Sequence, residues 1–525
     1  MLKVAILAGL VCQVHSLNVL LYQTTPASSH VAFSGAIVDA LVDAGHTVDK
    51  LIALWNPYIL SNGTTKARRV LRFNLNKESP WMSMPHLQKP FETKYSYPGD
   101  AEPVEYRKTL TQFCEQMLDS GIVDWIKEGN YDVALTAAYD ACGHGMFYVA
   151  GIKSVLVYSP TTLIDHWTLL YGLPAMASYQ PNLIRNNGEG DRPNFFQRLS
   201  ILADRVWQQQ IVLPSYHEVQ TKVFRAKYGQ NFPTATELAQ KSIGIFVNSH
   251  PILELQRPYC AKVKQIGGIT LRKAGKLSSL FEGILKSAKK GVILFSFGSL
   301  AKTDFIPYPV LLMFVEVFKK FKDYNVIWKF DLDDTHIFDN VTNIYPVKWT
   351  QQIELLNDPR VKLFISHSGQ NSMLESAHAG IPVLSIPLFL DQNYNSLVLE
   401  RRGSAIRLNK HDLTADVMER AMWKLLNEPK YRENAKALQK MLKNWPINPR
   451  ETLVNWVEYA AGNPALAEHL QISSANMGLI QYFCIDVLVF VGILFVGIIF
   501  GAVLMVRKGL EIFNVTFSHF KRKME

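Results

Sequence analysis

The segment Phe364-Ile365-Ser366-His367-Ser368-Gly369-Gln370-Asn371-Ser372-Met373-Leu374-Glu375 is an apolar run that closes on a histidine, turns at a glycine and passes into a helical pattern. A helix N-terminus approached through a glycine turn presents backbone N–H groups with no partner in the helix, an anion site suited to a diphosphate. His367 adds a donor beside Gly369, and Asn371 and Ser372 can reach bridging oxygens. Glu375, one turn further on, can accept two hydroxyl protons from a ribose. The same Ser372-x-x-Glu375 spacing also fits a plain capping box. Trp349 and Gln352 precede this unit, and Asp391-Gln392 follow the next strand. A tryptophan face stacks a planar base, and an Asp-Gln pair can hydrogen-bond several sugar hydroxyls. Each residue alone has a structural explanation; their joint spacing points to a sugar nucleotide.

A base for transfer chemistry stands near the other end of the chain. His30 follows an apolar strand, where the pattern Val31-Ala32-Phe33-Ser34-Gly35-Ala36-Ile37 opens a helix. The positive end of a helix disfavours imidazolium and keeps the ring neutral, as a general base requires. A histidine at a helix start also serves as a capping-region residue. Asp331-Leu332-Asp333-Asp334 would suit a divalent metal, but it directly follows a strand and reads as a solvated loop. No metal site is expected.

The elements that must position these groups alternate strand with helix. Strands are expected at 17–23, 46–54, 131–138, 153–159 and 243–250, then at 291–297, 325–330, 362–367 and 381–387. Near-continuous apolar strands separated by helices form parallel sheets covered on both faces. Residues 56–105 lose this pattern to Pro, Asn, Ser and Lys and read as a long loop region. Residues 161–212, rich in Trp, Leu and Tyr, read as a lid, a membrane-leaning segment or helical core. Two such alternating halves facing a cleft hold their ligands at the carboxyl ends of the strands.

Both termini carry targeting features. Lys3, the apolar run Val4 to Cys12 and the small-residue region before Leu17 read as a signal peptide, or alternatively as a first core strand. Val487 to Val506 is an unbroken run of 20 residues without a charge, long enough for a bilayer core of about 30 Å. Arg507 and Lys508 follow at once, which puts the N-terminal bulk in the lumen. The ending Lys521-Arg522-Lys523-Met524-Glu525 resembles a dilysine retrieval signal and equally suits a basic anchor at anionic lipid. Asn62-Gly63-Thr64 and Asn340-Val341-Thr342 are glycosylation sequons on the luminal side. Cys114, Cys142 and Cys260 form an odd luminal set from which one pair at most can form. The 525 residues carry 55 Lys plus Arg against 45 Asp plus Glu, a net charge of +10. That excess is spread thinly, which argues for solubility and against a nucleic-acid partner. The length supports two or three domains, and five cysteines exclude a small disulfide scaffold.

The run from Trp349 to Gln392 resembles the signature of the UDP-glycosyltransferases, specifically the animal membrane-bound UDP-glucuronosyltransferases, and the likeness extends over almost the whole chain. The resemblance implies a GT-B fold: two doubly wound Rossmann-like α/β domains facing a cleft, plus one C-terminal transmembrane helix. It implies a signal peptide at 1–16, an acceptor domain at 17–255, a linker at 256–289 and a UDP-sugar domain at 290–446. Helices at 447–486, a membrane span at 487–506 and a tail at 507–525 complete the layout. By resemblance Trp349 stacks on uracil, Gln352 contacts the nucleoside, and His367, Gly369, Asn371 and Ser372 hold the diphosphate. Glu375 takes the ribose, Asp391 and Gln392 the sugar, and Ser299 lies near the diphosphate.

Gln351 and Ser368 depart from the family's usual proline and glycine. His30 matches the catalytic histidine, but the carboxylate expected behind it falls on Ala137, and Asp140 is the replacement candidate. The implied activity is inverting transfer from a UDP-sugar, a co-substrate rather than a cofactor, to a hydroxyl of a small lipophilic acceptor. The implied place is the endoplasmic-reticulum membrane, single-pass type I, with homo- or hetero-oligomers possible. The missing carboxylate leaves a second reading, a catalytically weak UDP-sugar-binding partner subunit.

Overall fold

In the computed structural model, residues 16–92, 101–181, 183, 190–299 and 301–525 are described. The signal-peptide reading of 1–16 therefore lies outside them, Ser16 excepted. The chain divides into two units, Met1–Gln471 and Ile472–Glu525.

The first unit holds a seven-stranded and a six-stranded sheet, with all pairings parallel. The first is ordered β3-β2-β1-β4-β5-β6-β7. Its strands are β1 (Asn18–Thr24), β2 (Thr47–Ala53), β3 (Arg69–Phe73), β4 (Val133–Ala137), β5 (Ser154–Ser159), β6 (Gly244–Val247) and β7 (Val263–Gln265). The second is ordered β10-β9-β8-β11-β12-β13. It comprises β8 (Gly291–Ser296), β9 (Tyr324–Lys329), β10 (Ile344–Val347), β11 (Val361–Ser366), β12 (Val383–Ser385) and β13 (Ala405–Arg407).

Strand β1 shows why continuous apolar runs form these sheets. Val19 and Leu21 pack with Phe33, Ile37 and Leu135 on one face, while Leu20 and Tyr22 pack with Phe113 and Phe147 on the other. Both faces are dry, so both sets of alternating side chains are apolar.

All four strands that the sequence pattern does not mark (β3, β7, β10 and β13) are sheet edges. β3 reads Arg69-Val70-Leu71-Arg72-Phe73 and arises inside the expected loop region 56–105. Arg68 and Arg69 both ion-pair with the enclosed carboxylate of Asp49 on β2, so charge rather than apolar surface anchors this edge. β7 and the helix Ser279–Ser287 fall within the expected linker.

The polypeptide crosses between the sheets twice, since the helix Pro449–Gly462 returns to the first. Its Leu453, Val457 and Ala460 are buried with Val19 and Leu135, and Ser154 Oγ donates to Ala460 O at 2.9 Å. Within 161–212, the helix Phe195–Trp207 is held by an Asn194–Gln197 capping box and exposes Phe195, Phe196, Leu199 and Trp207. Cys114 and Cys142 form a disulfide, and Cys260 is free.

The second unit contains the helix Ile485–Met524, long and apolar enough to cross a membrane once. It continues beyond Val506 through the basic tail.

Candidate active site

Each sheet reverses its strand order beside its first strand, at β1/β4 and at β8/β11. Ligands of doubly wound sheets bind at such switch points, beyond the carboxyl ends of the strands. One cavity of about 400 Å³ joins the two. It is lined by His30 from the first half and by Ser299, Trp349, Gln352, His367, Gly369, Asn371, Ser372, Glu375, Asp391 and Gln392 from the second. Of the proposed catalytic and donor residues, Asp140 alone does not line it.

One wall of the cavity is a helix start with no side-chain cap. The helix Gln370–Ala379 begins after Gly369, so Ser372 lies inside it and forms no capping box with Glu375. Its first N–H groups thus remain available to an anion. Asn371 Oδ1 accepts from Asn248 Nδ2 at 2.8 Å, and Gln370 Nε2 donates to Asn248 O. Asn248 follows β6, so this pair fastens the first half to the anion site. The His367 ring lies between Gly298 and Gly369, where a β-carbon on either glycine would sit 2.7 Å from it. Burial, helped by the nearby Lys329 ammonium, lowers His367 to about 4. The imidazole is therefore neutral.

At another part of the cavity Gln352 pairs with Glu375. Gln352 Nε2 donates to Glu375 Oε2 at 2.7 Å and to Ser372 Oγ at 3.3 Å. Burial pushes the Glu375 carboxyl up to about 7, against the opposing effects of Gln352 and Arg272. Trp349 is 69% exposed, its ring open to a planar base. Asn395 Nδ2 donates to Asp391 Oδ2 at 2.7 Å and to Ser368 O at 3.1 Å. Burial raises Asp391 to about 6. Gln392 Oε1 accepts from the N–H groups of Leu388 and Phe389, which leaves its NH₂ for a ligand.

His30 is the third residue of the helix Ser28–Asp43. Its ring stacks on Tyr139 with centroids 5.1 Å apart. Its Nδ1 is enclosed and has no hydrogen-bond partner among the described residues. Burial lowers the ring to about 3. Asp140, expected to orient it, is engaged elsewhere. Its Oδ2 accepts from Tyr22 Oη at 2.9 Å and its Oδ1 from Cys142 N at 2.7 Å. It acts as a local cap for the helix Cys142–Val149, and no hydrogen bond joins it to His30 among the described residues.

Sequence reasoning missed Lys329, Arg272, Glu354 and Asn248. Lys329 ends β9 and pairs with Asp331 Oδ1 at 2.7 Å. Its place at a strand's carboxyl end was the available signal. Arg272 pairs with Glu354 and both line the cavity, a contact between distant segments that spacing does not reveal. Asp331 is held by Lys329 and Thr303, and Asp333 pairs with Lys348. The acidic triplet is thus a loop tied down by lysines.

Solved structures of similar fold include the kitacinnamycin glycosyltransferase, with a TM-score of 0.57 at 16% identity over 87% of this chain and 100% of that one. The structure of LpCGTa in complex with UDP gives a TM-score of 0.56 at 13% identity over 85% and 99%. These show the two-domain GT-B architecture. The Caenorhabditis elegans protein named as UDP-glucuronosyltransferase ugt-48 is 30% identical over 91% of this chain and 92% of its own length. UDP-glucuronosyltransferase 1A9 of Mus musculus is 26% identical over 90% and 88%. The family model for UDP-glucoronosyl and UDP-glucosyl transferase matches residues 18–519. With that match along nearly the entire chain, the protein belongs to the UDP-glycosyltransferase family and is an enzyme that transfers sugar from a UDP-sugar to an acceptor.

Proposed function

We propose that the enzyme is an inverting glycosyltransferase acting on hydroxyl groups of small lipophilic molecules, with His30 as general base. The observation that carries this reading is the joining of His30 and the anion-binding helix start in one cavity. Because Nδ1 is enclosed, Nε2 is the nitrogen left to take the acceptor proton. The acceptor oxygen forms its bond to the anomeric carbon as the bond to the UDP oxygen breaks, with inversion. The charge growing on UDP meets the N-terminus of Gln370–Ala379 and the His367 ring. Trp349 and Gln352 hold the base, Glu375 the ribose, Ser299, Gly369, Asn371 and Ser372 the diphosphate, and Asp391 and Gln392 the sugar. UDP-glucuronate and UDP-glucose are the donors to compare.

The same reading places residues 17–255 as the acceptor domain, 290–446 as the donor domain and 487–506 in the endoplasmic-reticulum membrane, with the catalytic part luminal. The apolar helix followed by Arg507 and Lys508 supports that orientation. Of the sequons, Asn62 already accepts from Arg72 Nη1 at 2.7 Å, whereas Asn340 is exposed, which favours the latter for glycosylation.

The test is UDP release by membranes containing the full chain, with each donor offered over a panel of phenols and sterols. Release with one donor, abolished in His30→Ala, supports the reading. Turnover that survives His30→Ala across the panel overturns the assignment of the base.

A further inference from the structure

Residues 80–91 lie inside the stretch that the sequence pattern reads as a long loop region, yet they are anchored in both halves of the chain. Trp81, Met84 and Leu87 are buried in the core of the first half, together with Tyr22 and Trp55. Trp81 Nε1 also donates to Pro26 O at 3.2 Å, in the turn that leads from β1 to the helix of His30. Phe91, one helical turn further along, is buried in the core of the second half with Phe295, Phe297 and Phe314. Its ring meets that of Phe297 edge-on with centroids 6.0 Å apart.

A polar contact holds the same point. Lys410 Nζ donates to Pro90 O at 2.6 Å and also to Leu388 O. The N–H of Leu388 is in turn held by Gln392 Oε1. Phe297 directly precedes Gly298, which packs against the His367 ring. One end of the segment thus rests on the turn before His30, and the other on the turns that carry Ser299 and Gln392. The segment follows β3, at one edge of the first sheet, whereas the outgoing backbone crossing follows β7, at the other edge.

We infer that Phe91 is a positioning residue for sugar transfer, setting the wall that carries His30 against the wall that holds the donor. The inference rests on the proposed placing of UDP on the second half, and not on His30 being the base. The residues proposed to grip UDP all belong to the second half, so donor affinity should survive the loss of Phe91. Transfer instead requires groups from opposite walls to meet, and a misplacement of about 1 Å can cost about 100-fold in rate. A side chain sunk in the facing core suits that task, because packed interiors yield little.

The test compares Phe91→Ala and Phe91→Leu with the parent, as full-length chains in detergent. With donor and acceptor saturating, Phe91→Ala is expected to lower kcat by about tenfold or more. Its affinity for UDP, measured by titration calorimetry, should stay within about threefold of the parent. Phe91→Leu, which keeps apolar bulk in the socket, should recover most of the lost kcat. A smaller loss in Phe91→Ala, an equal loss of UDP affinity, or a Phe91→Leu no better than Phe91→Ala overturns the inference. Trp349→Ala serves as the control for the donor wall. If it binds UDP as tightly as the parent, the placing of UDP fails and carries this inference with it.

Discussion

Gln352 and Glu375 meet across 2.7 Å on two helices that line the cavity. The glutamine donates, so the glutamate accepts, and on the proposed reading its second oxygen takes ribose hydroxyls. Burial holds the Glu375 carboxyl near 7. Hydroxyls that donate to it favour the ionised form, so donor binding expels a proton wherever the group is still protonated. Affinity for UDP-glucose is expected to fall as pH drops below about 7, by up to about tenfold per unit, and to level off above. Titration calorimetry across this range measures it. Glu375→Gln should bind more weakly and lose the pH dependence; an unchanged slope in that variant would assign the titration to another group.

The glycines flanking His367 leave the ring no room to move. Gly369 has an ordinary φ of −61°, so Gly369→Ala acts purely by pushing Nε2, 2.7 Å from the new methyl. Gly298 adopts φ +75°, so Gly298→Ala adds backbone strain of about 1–2 kcal/mol to a similar clash. Both should lower kcat/KM for the donor by about tenfold or more. Only Gly298→Ala should also lower Tm markedly, and equal thermal losses in both would contradict the strain argument.

Ser368 stands at φ +59°, a left-handed conformation unusual for a residue with a side chain. Its hydroxyl is 2.7 Å from that of Ser385 on the adjoining strand. The hydrogen bond contributes about 1 kcal/mol, comparable to the strain it offsets. Ser368→Ala keeps the strain and loses the bond, whereas Ser368→Gly loses both. Chemical denaturation should therefore place the parent and Ser368→Gly close together with Ser368→Ala below both, and Ser368→Ala at or above Ser368→Gly would refute the account.

The Cys114–Cys142 bridge closes a loop of 28 residues, for which chain entropy gives about 3–4 kcal/mol of stabilisation. Cys114→Ser is expected to lower Tm by several degrees in the absence of reductant. Dithiothreitol should lower the parent to the same level and leave the variant unmoved, which a melt of each with and without reductant will decide.

The central strands and the donor cluster were legible in the sequence for a shared reason. A strand buried on both faces is written as an unbroken apolar run, and the proposed donor residues other than Ser299 cluster within 44 positions, from Trp349 to Gln392. Edge strands β3, β7, β10 and β13 were not legible because one side of each ladder is unpaired and their composition answers to solvent and charge. Asp140 shows another limit. Spacing could place a carboxylate near the end of β4, but not reveal that Tyr22 and the Cys142 N–H had claimed it. Lys329 and Arg272 entered the cavity from segments that only the tertiary fold brings together.

The two passages of chain between the sheets lie side by side. Arg450, entering the returning helix, donates to Ile269 O in the outgoing passage at 3.4 Å. Trp445, in the returning passage, packs edge-on against His250, which follows β6 in the first sheet, with centroids 4.9 Å apart. Two adjacent tethers define a line as the spine of a book does. Together with the Asn248 contacts to Asn371 and Gln370, they hold the wall that carries His30 against the wall that carries the start of the helix Gln370–Ala379. The alignment of the two walls is thus built into the connectivity of the backbone.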